Sequence, residues 1–299
     1  MQSHEIELPK DIRDKTICMM RVKNEGRWIR RSLERTFQVC FQVVIFDDGS
    51  SDNTEAECYS ALGYDLPEET RNIEVSYSLS RKNKLHFIKS PFCSGVQPYN
   101  RTSEIRDKNM LWWYCQANLQ WDYMLCLDGD EWLSLDLIRN WKKAINMLDY
   151  SIDMLSLPFV YLWDSEDVQR MDGIYVPDAG PGKRLAFPRL FTWKRVSDQN
   201  RFNMMFKWSG TRGGFHCGSV PREGFMVQEG ISEKIPEVQR FNHLIVHAGY
   251  LNEELRQSKY EFYNRVDPDN EFEGKYLHII GEKDRWAPGD LQFAPWKDV

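Results

Sequence analysis

The sequence predicts an α/β fold: a mostly parallel, doubly wound sheet in the first half and a mixed, loop-rich second half. Short apolar runs alternate with helical patterns from Thr16 to residue 148. That β-α-β-α-β-α-β order implies parallel strands joined by right-handed crossovers. After residue 150 the alternation stops, and strand-like runs are separated by Gly- and Pro-containing loops.

The first element is Thr16–Val22, TICMMRV, an apolar strand. Residues 26–37 follow as a helix, with Trp28, Ile29, Leu33 and Phe37 at helical spacing. Val43–Phe46 is a short buried strand, and residues 53–62 form a helix that Asp52 caps. Residues 63–83 are polar and irregular. Leu85–Ile88 is a third strand, 103–119 a helix, Tyr123–Leu127 a fourth strand and 135–148 a further helix. In the second half 153–162, 188–193 and 243–247 read as strands, with no helix before residue 252. Asn252–Val266 is then a helix, and the tail to Val299 is coil containing Trp and Pro. The division falls between 1–150 and 151–299, two halves sharing one sheet in one continuous domain.

Composition narrows the class. The chain has 299 residues, 41% hydrophobic and 28% charged, which excludes collagen-like, coiled-coil and largely disordered proteins. Its length is enough to bury a sizeable core. A net charge of −6 argues against a protein that coats nucleic acid or anionic membrane over its whole surface. The start, MQSHEIELPKDIRDK, lacks the apolar region of a secretory signal. The longest apolar runs, such as Val43–Phe46 and Met124–Leu127, are too short to span a bilayer. Seven scattered cysteines without a CxxC pair point to reduced, mostly buried thiols in a cytosol-like compartment, with Cys18 and Cys126 in the core. The charge is uneven. Residues 183–222 hold nine basic residues and one acid, Asp198, a net +8 that leaves −14 on the rest.

Open parallel sheets bind ligands beyond the carboxyl ends of their strands. After the first strand comes Arg21-Val-Lys-Asn24-Glu25; after the second, Asp47-Asp48-Gly-Ser-Ser-Asp52; after the fourth, Asp128-Gly-Asp130-Glu131. Any single Asp there is accounted for as a helix cap or strand terminator. Two clusters on one rim repel each other and call for a cation or polar ligand groups. Asp128 and Asp130, one small residue apart, are able to reach the same hard cation, Mg²⁺ or Mn²⁺. Neither a G-x-x-x-x-G-K-[ST] loop nor a G-x-G-x-x-G turn is present, which sets aside P-loop enzymes and dinucleotide oxidoreductases.

With these motifs in order, the stretch ICMMRVKNEGRWIRRSLE…VVIFDDGSSDNT, followed by YMLCLDGDEWL, resembles the GT-A-fold glycosyltransferases, most closely the family 2 type. The resemblance covers roughly the first 135 residues, and the looser His243-Leu-Ile-Val-His247-Ala-Gly-Tyr250 segment, followed by a helix with Arg256, Lys259 and Tyr263 and then Asp267-Pro268, extends it. It implies a GT-A, Rossmann-like fold with a nucleotide-sugar-binding half and an acceptor half. It implies metal-dependent transfer of a sugar from a nucleotide diphosphate donor, by default a UDP-sugar, to an acceptor hydroxyl, with Mn²⁺ or Mg²⁺ as cofactor. Carried over residue by residue, Asn24 and Glu25, with the backbone near Arg21, line the base pocket. Asp48, with Asp47 beside it, binds base or ribose, and Asp128 and Asp130 hold ribose and metal. Arg106 contacts the donor, or else is a surface arginine paired with Asp107 or Glu104. His247 takes the metal or diphosphate; His243 shares its strand face, so either histidine fits that place.

Inverting transfer needs a general base. The candidates are Glu166, in Asp164-Ser-Glu166-Asp167, and His216, followed here by Cys217 where some relatives have Glu. The competing view of 164–167 is an exposed acidic turn. In residues 183–222, aromatics such as Phe191, Trp193 and Trp208 interleave with the cations. They imply an anionic acceptor: a phosphorylated glycan, a lipid-linked sugar or modified nucleic acid. Alternatively, the aromatics are core and the cations a solvated face. The expected location is cytoplasmic, with peripheral contact at a membrane surface open. A different class, a non-catalytic nucleotide- or carbohydrate-binding module, keeps the fold without the chemistry. Asp130→Asn is expected to abolish turnover while leaving the fold intact.

Overall fold

The computed structural model describes residues 10–63, 75–79, 83–90, 103–150, 152–176, 187–192, 217–221, 238–269 and 275–298. Its strands are β1 (Thr16–Val22), β2 (Gln42–Asp47), β3 (Val75–Leu79), β4 (Lys84–Lys89), β5 (Tyr123–Asp128), β6 (Glu131–Leu133), β7 (Met154–Leu157), β8 (Phe159–Trp163), β9 (Ser165–Arg170), β10 (Phe187–Thr192), β11 (Val238–Arg240), β12 (Ile245–His247) and β13 (Phe293–Pro295). The helices are α1 (Lys10–Asp14), α2 (Ile29–Thr36), α3 (Thr54–Ser60), α4 (Ser103–Asn118), α5 (Leu135–Arg139), α6 (Trp141–Tyr150) and α7 (Glu253–Val266).

Eight strands form one sheet in the order β11-β7-β10-β5-β1-β2-β4-β3. Its centre, β5-β1-β2-β4, is parallel, and β10 and β3 run antiparallel to their neighbours. This is the mixed α/β architecture with a mostly parallel central sheet that the alternation predicts. Both faces of the sheet are buried, which explains why the central strands are apolar throughout rather than alternating. Cys18, Met20 and Val22 pack with Ile29, Leu33 and Trp141 on one side. Ile17 and Met19 pack with Leu111, Trp112 and Cys115 of α4 on the other.

A second sheet has the order β13-β9-β8-β12-β6. The chain passes from the large sheet to this one at three places: β5 to β6 across Gly129, β7 to β8 across Pro158, and β11 to β12. The Asp128-Gly-Asp130 turn is therefore a junction between sheets as well as a strand end.

Several boundaries differ from expectation. The run 153–162 is two strands because Pro158 has no N–H to give a ladder. The helix over 135–148 is two, α5 capped by Ser134, whose Oγ accepts from Leu137 N at 3.1 Å, and α6 beginning after Asn140. The polar stretch 63–83 contains β3. Ser165–Arg170, SEDVQR, carries no apolar alternation and is a strand because β8 and β13 pair with it from either side. Six described cysteines are free and buried, and Cys93 lies outside the described residues. Among the described residues no helix is long and apolar enough to cross a membrane.

Candidate functional site

Register brings the acidic segments together. Val22 pairs with Asp47, and Arg21 pairs with Asp128, so the C-terminal ends of β2, β1 and β5 lie level. The loop after β1 is tied to the loop after β2 by a reciprocal set of bonds. Asn24 N donates to Ser50 Oγ at 2.8 Å, and Ser51 N donates to Asn24 Oδ1 at 2.8 Å. Asn24 adopts φ 56°, the left-handed region that Asn tolerates better than most side chains. Glu25 N donates to Thr54 Oγ1, and Gly26 N donates to Asp52 Oδ2. Asp52 also accepts from Thr54 N; the N-cap of α3 is Asn53 rather than the expected Asp52, which lies one residue earlier and joins the two loops.

Asp47 and Asp48 do different work. The Asp47 carboxylate accepts from Ser50 N at 3.2 Å and from Ser50 Oγ, closing its own turn, with Gly49 at φ 76°. Asp48, 4% exposed, takes Arg21 Nη2 at 2.7 Å and lies 3.5 Å from Lys23 Nζ. Arg21 Nε also donates to Asp107 of α4 at 2.9 Å. Arg106 pairs with the same Asp107, which is buried, at 2.6 Å. The helix turns Asp107 and Lys108 inward, and Lys108 Nζ is bonded to Glu104 Oε1 at 2.7 Å.

Around the turn after β5, Asp128 is 42% exposed at its side chain, whereas Asp130 is 6% exposed. Asp130 Oδ2 accepts from Lys259 Nζ of α7 at 2.8 Å and lies 3.7 Å from His247 Nε2. Burial alone would raise the Asp130 pKa, but the Lys259 ammonium and His247 outweigh it and hold the carboxyl well below its usual range. Glu131 accepts from Arg189 Nη2 at 2.8 Å and from Asp128 N at 3.0 Å. Its burial outweighs Arg189 and pushes the carboxyl up to about 8. Glu25 is also pushed well up, first by burial and then by Asp130. The turn admits only glycine comfortably: a Cβ on Gly129 would lie 2.6 Å from Glu25 Cγ. Between Arg21, Lys108, Asp128 and Arg189 is a space of about 10 Å³, room for one water. A wider cleft of about 490 Å³ lies between Lys15, Gln42, Lys84 and Trp121, at the N-terminal ends of the strands and away from the acidic rim.

His247 faces this cluster and His243 does not. His247 Nδ1 accepts from Gly249 N at 3.1 Å, which leaves the ring proton on Nε2, toward Asp130. Burial lowers its pKa to about 4, so the ring is neutral. His243 instead pairs with Asp136 at 2.5 Å. Glu166 is 50% exposed and bonded to Arg31 of α2 at 2.5 Å; His216 lies outside the described residues. Most of the basic window does as well, but Arg189 of β10 is 5% exposed and bound at the acidic rim. Lys259, Lys108 and Arg189 thus join Arg21 and the acids at this rim.

Among the described residues no group of three or more His, Cys, Asp or Glu side chains is arranged to hold a metal by itself. Two carboxylates, Asp128 open to solvent and Asp130 behind it, nonetheless suit a hard cation that keeps most of its ligands from water and phosphate. As a third ligand, His247 would have to move its proton off Nε2.

Comparison with known proteins extends to overall structure. No protein-family model matches the chain, and no curated protein matches it. Among solved structures, it is similar to residues 1–349 of S. aureus TarS, at 12% identity over 89% of this chain and 69% of that one, with TM-score 0.42. It is also similar to glucosyl-3-phosphoglycerate synthase from Mycobacterium tuberculosis in complex with phosphoglyceric acid, at 12% identity over 85% and 80% of the two chains, with TM-score 0.41. A mycobacterial protein aligns at 10% identity over 85% and 75%, with TM-score 0.40.

Proposed function

We propose that this protein is a metal-dependent glycosyltransferase that moves a sugar from a nucleotide diphosphate sugar, by default a UDP-sugar, to an acceptor hydroxyl in the cytoplasm. The observation that carries this reading is the convergence of Arg21–Asp48, Glu25, Asp128 and Asp130 on one strand-end rim. Asp48 and Asp130 are each paired with a cation there, and Asp128 keeps 42% of its side chain exposed.

In this reading residues 1–150 bind the donor and 151–299 the acceptor. Asp48, fixed by Arg21, receives the ribose or base hydrogen bonds, and Asn24 and Glu25 border the base. Asp128 and Asp130 supply oxygens to Mn²⁺ or Mg²⁺, which neutralises charge on the departing diphosphate when bound. Glu131 acts behind them, holding Asp128 by its N–H and Arg189 by its guanidinium. Glu166 and His216 are the candidates for the base. Glu166 is half exposed and ion-paired with Arg31.

The test is hydrolysis and transfer over a panel of nucleotide sugars with Mn²⁺ or Mg²⁺. Asp128→Asn is the cleaner probe, because Asp130 lies in a buried ion pair whose rupture costs about 3–5 kcal/mol of stability. Loss on the order of 10²-fold in turnover is expected for Asp128→Asn with an unchanged melting temperature. Nucleotide binding without turnover of any donor would favour the non-catalytic module.

A further inference from the structure

Lys259 is a cation in an unusual position. It sits on α7, far along the chain from the Asp128–Asp130 turn, yet its Nζ is 2.8 Å from Asp130 Oδ2 and 5.1 Å from the centre of the Tyr250 ring. The approach depends on Gly249: a Cβ there would lie 2.1 Å from Nζ and 2.2 Å from Asp130 Oδ2. The Lys259 side chain is 29% exposed and that of Asp130 6%, so the ammonium is the solvent-facing end of a buried pair. Arg189, 3.6 Å from Asp128, is 6% exposed at its side chain and engaged with Glu131 at 2.8 Å. An ammonium carries three N–H donors, of which Asp130 takes one and the Tyr250 face borders another side.

The geometry points to Lys259 as the group that receives the β-phosphate of a nucleoside diphosphate, with Asp130 Oδ2 holding the ammonium in place. This rests on the proposed nucleotide-sugar reading of the same rim. When the bond between the sugar C1 and the β-phosphate oxygen breaks, its electron pair stays on that oxygen. A preplaced N–H then meets the growing charge without giving up its proton. Recognition of the diphosphate therefore survives, in part, the removal of divalent metal.

Calorimetric titration of the whole chain with UDP and UMP, in EDTA and again with Mn²⁺, tests this; GDP/GMP and ADP/AMP pairs run alongside cover the choice of base. The wild type is expected to bind the diphosphate about 10-fold or more tighter than the monophosphate in EDTA, as one charge-assisted hydrogen bond provides. Lys259→Met should bring the diphosphate to the monophosphate level and leave the monophosphate unchanged, and Lys259→Arg should restore part of the gap. If Lys259→Met does not fold, Lys259→Met with Asp130→Asn removes both charges and gives the same readout. An unchanged diphosphate-to-monophosphate ratio, or equal binding of the two by the wild type in EDTA, overturns the inference and leaves the nucleotide reading standing. Failure of the wild type to bind any nucleotide, with or without Mn²⁺, overturns both.

Discussion

Two histidines, His86 buried and His247 mostly so, show how much of the chemistry is decided residue by residue. His247 and His86 are each lowered to about 4, and burial is the larger cause in both. His247 faces a carboxylate at the rim; His86, on β4, is satisfied by Tyr114 Oη at 2.8 Å and Gln42 Oε1 at 3.2 Å. For His86 the folded pKa lies below the unfolded value of about 6.5, so the fold favours the neutral ring. Its contribution is fully present above pH 6.5 and is lost as pH falls from 6.5 toward 4, by about 2 kcal/mol at pH 5. Urea melts of the wild type and His86→Phe from pH 7 to 4.5 read this directly. The stability difference between them should shrink as the pH falls, and a constant difference would show that His86 does not titrate this way.

At the scale of elements, the tail is the clearest case of structure supplied by distant partners. It reads as coil, yet β13 pairs with β9, and Trp296 N donates to Asp167 O at 2.7 Å. Asp298 then accepts from Arg35 of α2 at 2.9 Å and from Leu135 N, at the start of α5, at 2.8 Å. Both partners are mostly buried, at 17% and 11% side-chain exposure. Asp298→Ala should lower stability by about 1–3 kcal/mol, and a double-mutant cycle with Arg35→Ala should show coupling. Wild-type urea midpoints for both single variants would mean that the tail is not fastened. The strands β1, β2 and β5 are legible because each is mostly an apolar run, and β2 and β5 end in Asp, so the acidic half of the rim is legible with them. The pairings Asp298–Arg35, Asp130–Lys259 and Glu131–Arg189 are not, since each joins segments that local pattern cannot bring together. Arg106 shows the finer limit: the sequence marks the helix, but its phase, which turns Asp107 and Lys108 inward, depends on what α4 packs against.

For the whole molecule, the net charge of −6 conceals opposed regions, and the acidic rim is where the chain crosses from one sheet to the other. Strand ends at such a crossing are held on two sides: Ala248 N donates to Asp130 O at 2.9 Å, and Ser32 Oγ donates to Glu131 O at 2.5 Å. The rim is therefore built into the folded state, and a ligand that fills it stabilises the entire chain by mass action. At a concentration 100 times its Kd, such a ligand adds about 2.7 kcal/mol. With an unfolding entropy of about 2.1 cal/mol/K per residue, 299 residues convert that into a rise of about 4 °C in Tm. Thermal melts with a nucleoside, its monophosphate and its diphosphate should rise in that order, with the largest shift when Mn²⁺ is added to the diphosphate. Asp128→Asn should remove the part of the shift that Mn²⁺ contributes, because Asp128 is the solvent-facing carboxylate of the proposed metal site. A diphosphate shift of the same size in wild type and Asp128→Asn, with Mn²⁺ present in both, would take Asp128 out of the metal site.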